Sequence, residues 1–196
     1  MKRKIFILLG HPDNESYCGA LAHAYEAGAR EEGHEVRLMS LADMNFNANL
    51  EHGYNAIQEL EPDLLSFQEN IRWAEHVVIV FPVWWGTFPA QLKGLFDRAI
   101  LPGFGFKYYK KNGIFWRRLL KGKSARLIIT MGMPRIAYFL TSLYVIPGVR
   151  LLKYGILKFC GISPVRASSI SRVLAASPEK RERFIAKIKK LGAAGK

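Results

Sequence analysis

The chain has 196 residues, 49% of them hydrophobic, two cysteines and a net charge of +13. That is enough apolar material for one packed domain over residues 1–196 and too much for a disordered chain. Cys18 and Cys160 are too few for a disulfide framework and fit a reducing compartment; they are not spaced as metal ligands, and no His/Cys cluster suggests zinc, so no metal is expected.

In chain order, residues 4–9 read as a buried strand, too short an apolar run for a secretory signal and without its small-residue cleavage site. Residues 10–15 form a turn-rich loop. Ser16 can cap a helix in which Leu21, Ala24, Tyr25 and Gly28 fall at helical spacing, and Gly33 ends it. Residues 35–40 are a second strand and 43–53 an Asn-rich irregular stretch. Pro62 opens a helix with Leu64, Leu65, Ile71 and Trp73 on its apolar side. Residues 77–81 are a third strand, 89–101 a third helix, and 102–122 a long loop rich in aromatics. Residues 125–130 are a fourth strand. Pro134 breaks the chain before a long aromatic helical region interrupted at Pro147-Gly148. Residues 164–169 form a fifth strand, and Ser177-Pro178 starts a basic amphipathic terminal helix. This alternation predicts a five-stranded, doubly wound parallel sheet covered by helices on both faces, without repeats or linkers. Residues 136–162 are apolar but hold Arg150, Lys153, Lys158 and Pro147, so no membrane span is expected.

Charge is unevenly placed. Residues 1–97 carry 7 Lys/Arg and 14 Asp/Glu; residues 98–178 carry 15 Lys/Arg and no acid; residues 179–196 carry 7 and 2. The acid-free span is either a solvated basic face or a surface turned toward phosphorylated cofactors, anionic lipid or nucleic acid. No DNA- or RNA-binding module accompanies it, so nucleic acid is not expected.

Ligands of open α/β sheets sit beyond the carboxyl ends of strands. Three loops there carry chemistry. His11 to Ser16, before a helix, is either an anion site or a merely capped helix; it is neither a Walker loop nor a GxGxxG fingerprint. Trp84-Trp85-Gly86 is either a pair of core tryptophans or a flat wall for a planar ring. Thr130 to Met133 offers a hydroxyl and backbone N–H groups to a ring's polar edge. The fourth feature is the aromatic loop with Phe104, Phe106, Tyr108, Tyr109, Phe115 and Trp116 between lysines. It reads as a packed loop, a lid over a planar cofactor, or a single-strand nucleic-acid surface.

The segments GHPDNESYC, FPVWWGTFPAQLKGLFDR, GFGFKY, ITMG and LKFCG, in this order, resemble the flavodoxin-like NAD(P)H:quinone oxidoreductases of the DT-diaphorase type over most of the chain. The resemblance implies the flavodoxin strand order 2-1-3-4-5, a tightly bound flavin and a homodimer with its active site at the interface. It implies that His11, Ser16, Tyr17 and Cys18 hold the flavin's pyrophosphate and ribityl region. Pro82, Val83, Trp84, Trp85 and Gly86 would flank its ring, and Thr130 and Gly132 would contact its polar edge. Phe106, Met133 and Phe159 would meet substrate, with Tyr108, Tyr138 and Tyr144 as proton-handling groups. The chain departs from better-known members. It has Tyr144 where they can carry a histidine, a poorer relay at neutral pH. Met133 stands where they have a small residue, and Phe106 where they have a tyrosine.

The implied reaction is two-electron, ping-pong hydride transfer from NAD(P)H through flavin to a quinone, with FAD favoured over FMN by the SYC segment and NADPH by the basic excess. The alternative is a flavin-binding ancillary subunit of a membrane system with little quinone turnover. The expected location is cytoplasmic, with peripheral contact at the inner face of an anionic membrane.

Overall fold

Apolar runs without polar interruption, such as residues 5–9 and 77–80, need cover on both faces. A computed structural model, which describes residues 2–53, 55–110, 113–134, 136 and 147–196, provides it. The chain runs β1 (Lys4–Leu9), α1 (Tyr17–Glu31), β2 (Glu35–Ser40), α2 (Pro62–Trp73), β3 (His76–Val83) and α3 (Ala90–Ala99). It continues through a hairpin of β4 (Phe106–Tyr108) and β5 (Trp116–Arg118) to β6 (Ser124–Met131), α4 (Pro147–Arg150), β7 (Val165–Ile170) and α5 (Pro178–Ala193). The helix α4 continues as a wide π-helical stretch, Leu151–Lys158.

The main sheet is parallel, in the order β2-β1-β3-β6-β7. This is the expected five-strand order with the hairpin inserted before the fourth strand of the sheet. Alternate residues serve opposite faces. Phe6 and Leu8 join Val77, Ile79 and Phe81 under α2, α3 and Leu152, whereas Ile5, Ile7 and Leu9 join Val78 and Val80 under α1 and α5. The helices α1 and α5 touch through glycines: a Cβ on Gly28 would meet Lys189 O at 2.1 Å, and one on Gly192 would meet Tyr25 O at 2.1 Å.

Several boundaries differ from expectation for physical reasons. The third strand extends through Pro82 and Val83. β1 pairs with β3 only as far as Leu9↔Val80, so at Pro82 the strand has a single neighbour, β6, and a missing N–H breaks no ladder. The long aromatic loop contains the short hairpin β4–β5. On α2 the buried face is Leu64, Phe67, Gln68 and Ile71, while Leu65 is half exposed. Pro147–Arg150 is helical, and the residues before Pro147, on which the expected interruption depends, lie outside the described residues.

Arg98 is fully buried on α3. Its guanidinium donates to Glu61 Oε2 at 2.8 Å, to Glu59 O at 2.7 Å and to Asn47 O. One buried cation thereby fixes the segment between β2 and α2. Burial raises the Glu61 pKa, but the Asn47 N–H and Arg98 outweigh it and hold the carboxyl below its ordinary value.

Candidate functional site: a cleft at the carboxyl end of the sheet

β3 delivers the chain to a turn closed by reciprocal bonds, Trp84 N to Thr87 O at 2.8 Å and Thr87 N to Trp84 O at 2.9 Å. Its central residues are Trp85 (φ 51°) and Gly86 (φ 78°), both left-handed as a type I′ turn requires. Glycine suits that conformation; a tryptophan there is strained, and such strain collects at functional sites. Trp85 is wholly exposed and Trp84 half exposed, so the two are not core tryptophans.

Beside the turn lies a cleft of about 290 Å³. From the β1 loop and the start of α1 come His11, Ser16, Tyr17 and Cys18; from β3 come Pro82, Val83 and Trp84; from β6 come Thr130 and Gly132. The strand ends thus bring nine of the anticipated residues together. Trp85 and Gly86 form the adjoining turn, and Met133 stands half exposed without lining the cleft. Val173 and Leu174 complete the wall. Sequence reasoning missed them, although the rule that selected the other loops applies equally to the loop after β7.

Local bonding assigns different tasks to these residues. His11 Nδ1 lies 3.0 Å from both the N–H and the carbonyl oxygen of Asp13, which fixes the ring, and the ring stands edge-on to Trp84 at 5.5 Å between centroids. Ser16 Oγ is occupied as the α1 cap, accepting from Gly19 N at 3.2 Å. The N–H groups of Tyr17 and Cys18, in the first helical turn, have no intrahelical partner and make an anion cradle. The Tyr17 hydroxyl donates to Arg181 O at 2.8 Å, and burial pushes its pKa up to about 12. Cys18 Sγ and Thr130 Oγ1 lie 3.3 Å apart. Burial pushes the Cys18 thiol up to about 11, an inert packing thiol rather than a nucleophile. The Thr130 side chain thus has one inward contact, and its hydroxyl keeps capacity for a second at the cleft. A Cβ built on Gly132 would meet nothing within 4 Å, so a ligand can approach the main chain there.

These features fit a flavin: an exposed indole wall, an open backbone stretch opposite it and a helix N-terminus for phosphate. Among the described residues no group of three or more His, Cys, Asp and Glu could hold a metal ion.

Phe106 and Phe159 line a different hollow of about 310 Å³, together with Lys93, Asp97 and Leu151. Tyr108 stands edge-on to Phe106 at 5.5 Å, and Phe159 stacks on Trp116 at 4.4 Å. One chain does not bring these aromatics into the first cleft. Tyr138 and Tyr144 lie outside the described residues.

A family model described as flavodoxin-like fold matches residues 3–191. The chain belongs to this family. It is 31% identical over 153 residues to a ribosyldihydronicotinamide dehydrogenase-like protein, traD, of Penicillium crustosum, a match covering 66% of this chain and 57% of that protein. The chain thus spans less than two thirds of that relative's length. It is 27% identical to the ribosyldihydronicotinamide dehydrogenase [quinone] of Homo sapiens over 94% of this chain and 88% of the human one. Its fold is also that of the NAD(P)H:quinone oxidoreductase from Methanothermobacter marburgensis, with TM-score 0.81, 21% identity and full coverage of both chains. The expected fold and the family resemblance are both borne out. No helix among the described residues is long and apolar enough to cross a membrane.

Proposed function

We propose that this protein is a flavin-dependent NAD(P)H:quinone oxidoreductase working by two-electron transfer. The observation that carries the reading is the strained Trp85-Gly86 turn beside a cleft walled by Trp84, Pro82 and Val83. The names of its relatives support the same reading and do not favour the ancillary-subunit alternative. A bound flavin would supply the redox chemistry, taking a hydride equivalent from NAD(P)H and passing it to the quinone.

The protein's own part is binding and orientation. Trp84 presents an apolar face, with the His11 ring standing at its edge. The helix N-terminus at Tyr17 and Cys18 receives phosphate. Backbone groups at Gly132 and in the Trp85-Gly86 turn stand where charge on the ring's polar edge would be met. We propose FAD as the flavin, with FMN as the alternative, and a homodimer in which Phe106, Tyr108, Met133 and Phe159 meet the quinone. In that arrangement the Tyr108 phenol holds a proton for the quinone oxygen, with Tyr138 and Tyr144 as further proton donors. We place the enzyme in the cytoplasm.

Purified protein should be yellow, release a flavin identifiable by mass, and reduce menadione with NADPH. Protein that stays colourless after incubation with both FAD and FMN overturns the reading. A flavoprotein without quinone turnover returns the ancillary alternative. Light scattering tests the dimer.

A further inference from the structure

Exposed apolar side chains and unpaired cations coincide on one element. Among the described residues, most of the large apolar side chains left exposed fall between Trp84 and Tyr154, overlapping the span that contains no carboxylate. The β4–β5 hairpin concentrates both properties. Tyr109, Ile114 and Phe115, at 70%, 78% and 71% exposure, project at its end, where Tyr109 N donates to Phe115 O at 3.2 Å. The ladder pairs Phe106 with Arg118, Lys107 with Arg117 and Tyr108 with Trp116. Strand alternation puts Phe106, Tyr108 and Trp116 on one face, packed toward Phe159. Lys107 and Arg117 are left directly opposite each other on the other face, both exposed.

Like charges facing each other across a hairpin are unfavourable. Nothing within the described protein offsets this pair, since neither residue belongs to any of its ion pairs. Lys110, at the turn, adds to this field without a carboxylate partner, whereas Arg118, opposite Phe106, lies on the other face. An anionic surface would turn the repulsion into attraction. The apolar tip narrows which surface: Ile114 offers nothing to a nucleic-acid base, whereas an aliphatic and aromatic tip flanked by cations matches the headgroup boundary of a bilayer.

We propose that the β4–β5 hairpin docks the protein on anionic lipid bilayers. Tyr109, Ile114 and Phe115 enter the headgroup boundary, and Lys107, Lys110 and Arg117 lie against lipid phosphates. The inference goes beyond the reductase reading and does not depend on it, although a bilayer is where a lipophilic quinone resides.

The test is co-sedimentation of the full chain with vesicles of phosphatidylcholine alone or mixed with phosphatidylglycerol. Binding is expected to the mixed vesicles only, and to be lost at about 0.5 M salt, where the Debye length falls to about 4 Å. K107Q/R117Q should weaken it about 25-fold, at about fivefold per cation. I114S/F115S, altering exposed tip residues, should weaken it about tenfold or more. No binding to mixed vesicles, binding indifferent to either double substitution, or equal binding to neutral vesicles overturns the proposal. So does a finding that the substitutions change only the oligomeric state or only salt-sensitive oligonucleotide binding.

Discussion

The two ends of one strand teach opposite lessons. β3 begins at His76, whose ring is fully buried and bonded at Nδ1, while Nε2 has no hydrogen-bond partner. His76 Nδ1 meets Ser124 Oγ at 2.7 Å, and Lys123 Nζ donates to the carbonyls of Arg72 and Ala74. The strand finishes seven residues later, at Val83, beside Trp84 and Trp85, where large apolar rings are exposed and the backbone is strained. The amino end is buried within the protein; the carboxyl end holds exposed aromatic surface and a left-handed tryptophan. In a parallel α/β sheet this division separates stability from function. Changes at the first end should therefore move unfolding and leave flavin retention alone, and changes at the second should do the reverse.

The largest expected effect is acid titration of His76. Burial, with Arg3, Arg126 and Arg166 adding to it, lowers the His76 pKa to about 3. Above pH 6.5 the ring is neutral in both folded and unfolded chains, so pH has no effect through it. Below that value the unfolded chain takes the proton first, and stability falls with pH until the folded pKa is reached. The full loss is on the order of 5 kcal/mol, of which about 2 kcal/mol comes between pH 6.5 and 5. Urea midpoints across that range should fall in the wild type and fall much less in H76Q. Parallel slopes in the two proteins would break the comparison at its buried end.

Next is Arg98→Ala, which removes a buried guanidinium and its bonds to Asn47, Glu59 and Glu61. The cost should be about 3 kcal/mol in chemical unfolding. Proteolysis should then cut first in the segment between β2 and α2, with flavin retained at low temperature. Flavin loss without destabilisation would show that this segment serves the cleft rather than the scaffold.

What could be read without coordinates divides in a similar way. The strand order and the gathering of His11, Trp84 and Thr130 were legible because short, local patterns fix them: apolar runs, a cap at Ser16, a helix opened near Pro89. Arg98 was not legible, because its carboxylate partner lies 37 residues away and nothing near it in sequence marks a buried cation. His76 looked like a residue outside the strand, since the burial that keeps it neutral, and the arginines that add to it, come from elements distant in sequence. The β4–β5 hairpin escaped because three-residue strands are shorter than any periodicity can report. The contact between the Thr130 hydroxyl and the Cys18 thiol was not legible either, because it joins residues 112 apart in the chain.

The smallest effect on stability, and the sharpest test of the division, is Trp85→Gly. The residue sits at φ 51° with its side chain wholly exposed, so the folded apoprotein gains little from the indole. A bulky side chain in the left-handed region costs about 1 kcal/mol or more, which glycine avoids. Glycine also raises the entropy of the unfolded chain, which offsets part of that gain. The apoprotein should therefore melt at the same temperature as wild type or a few degrees above it. If the indole's role is to cover a planar ring, the same substitution should release flavin during gel filtration and raise its dissociation constant about tenfold, the equivalent of one lost aromatic contact. Unchanged flavin affinity with raised stability would mean that Trp85 faces a protein surface instead, such as a second copy of the chain. A fall in apoprotein stability would mean that the left-handed turn is held by contacts the exposed indole itself makes, and the strained end of β3 would then belong to the scaffold.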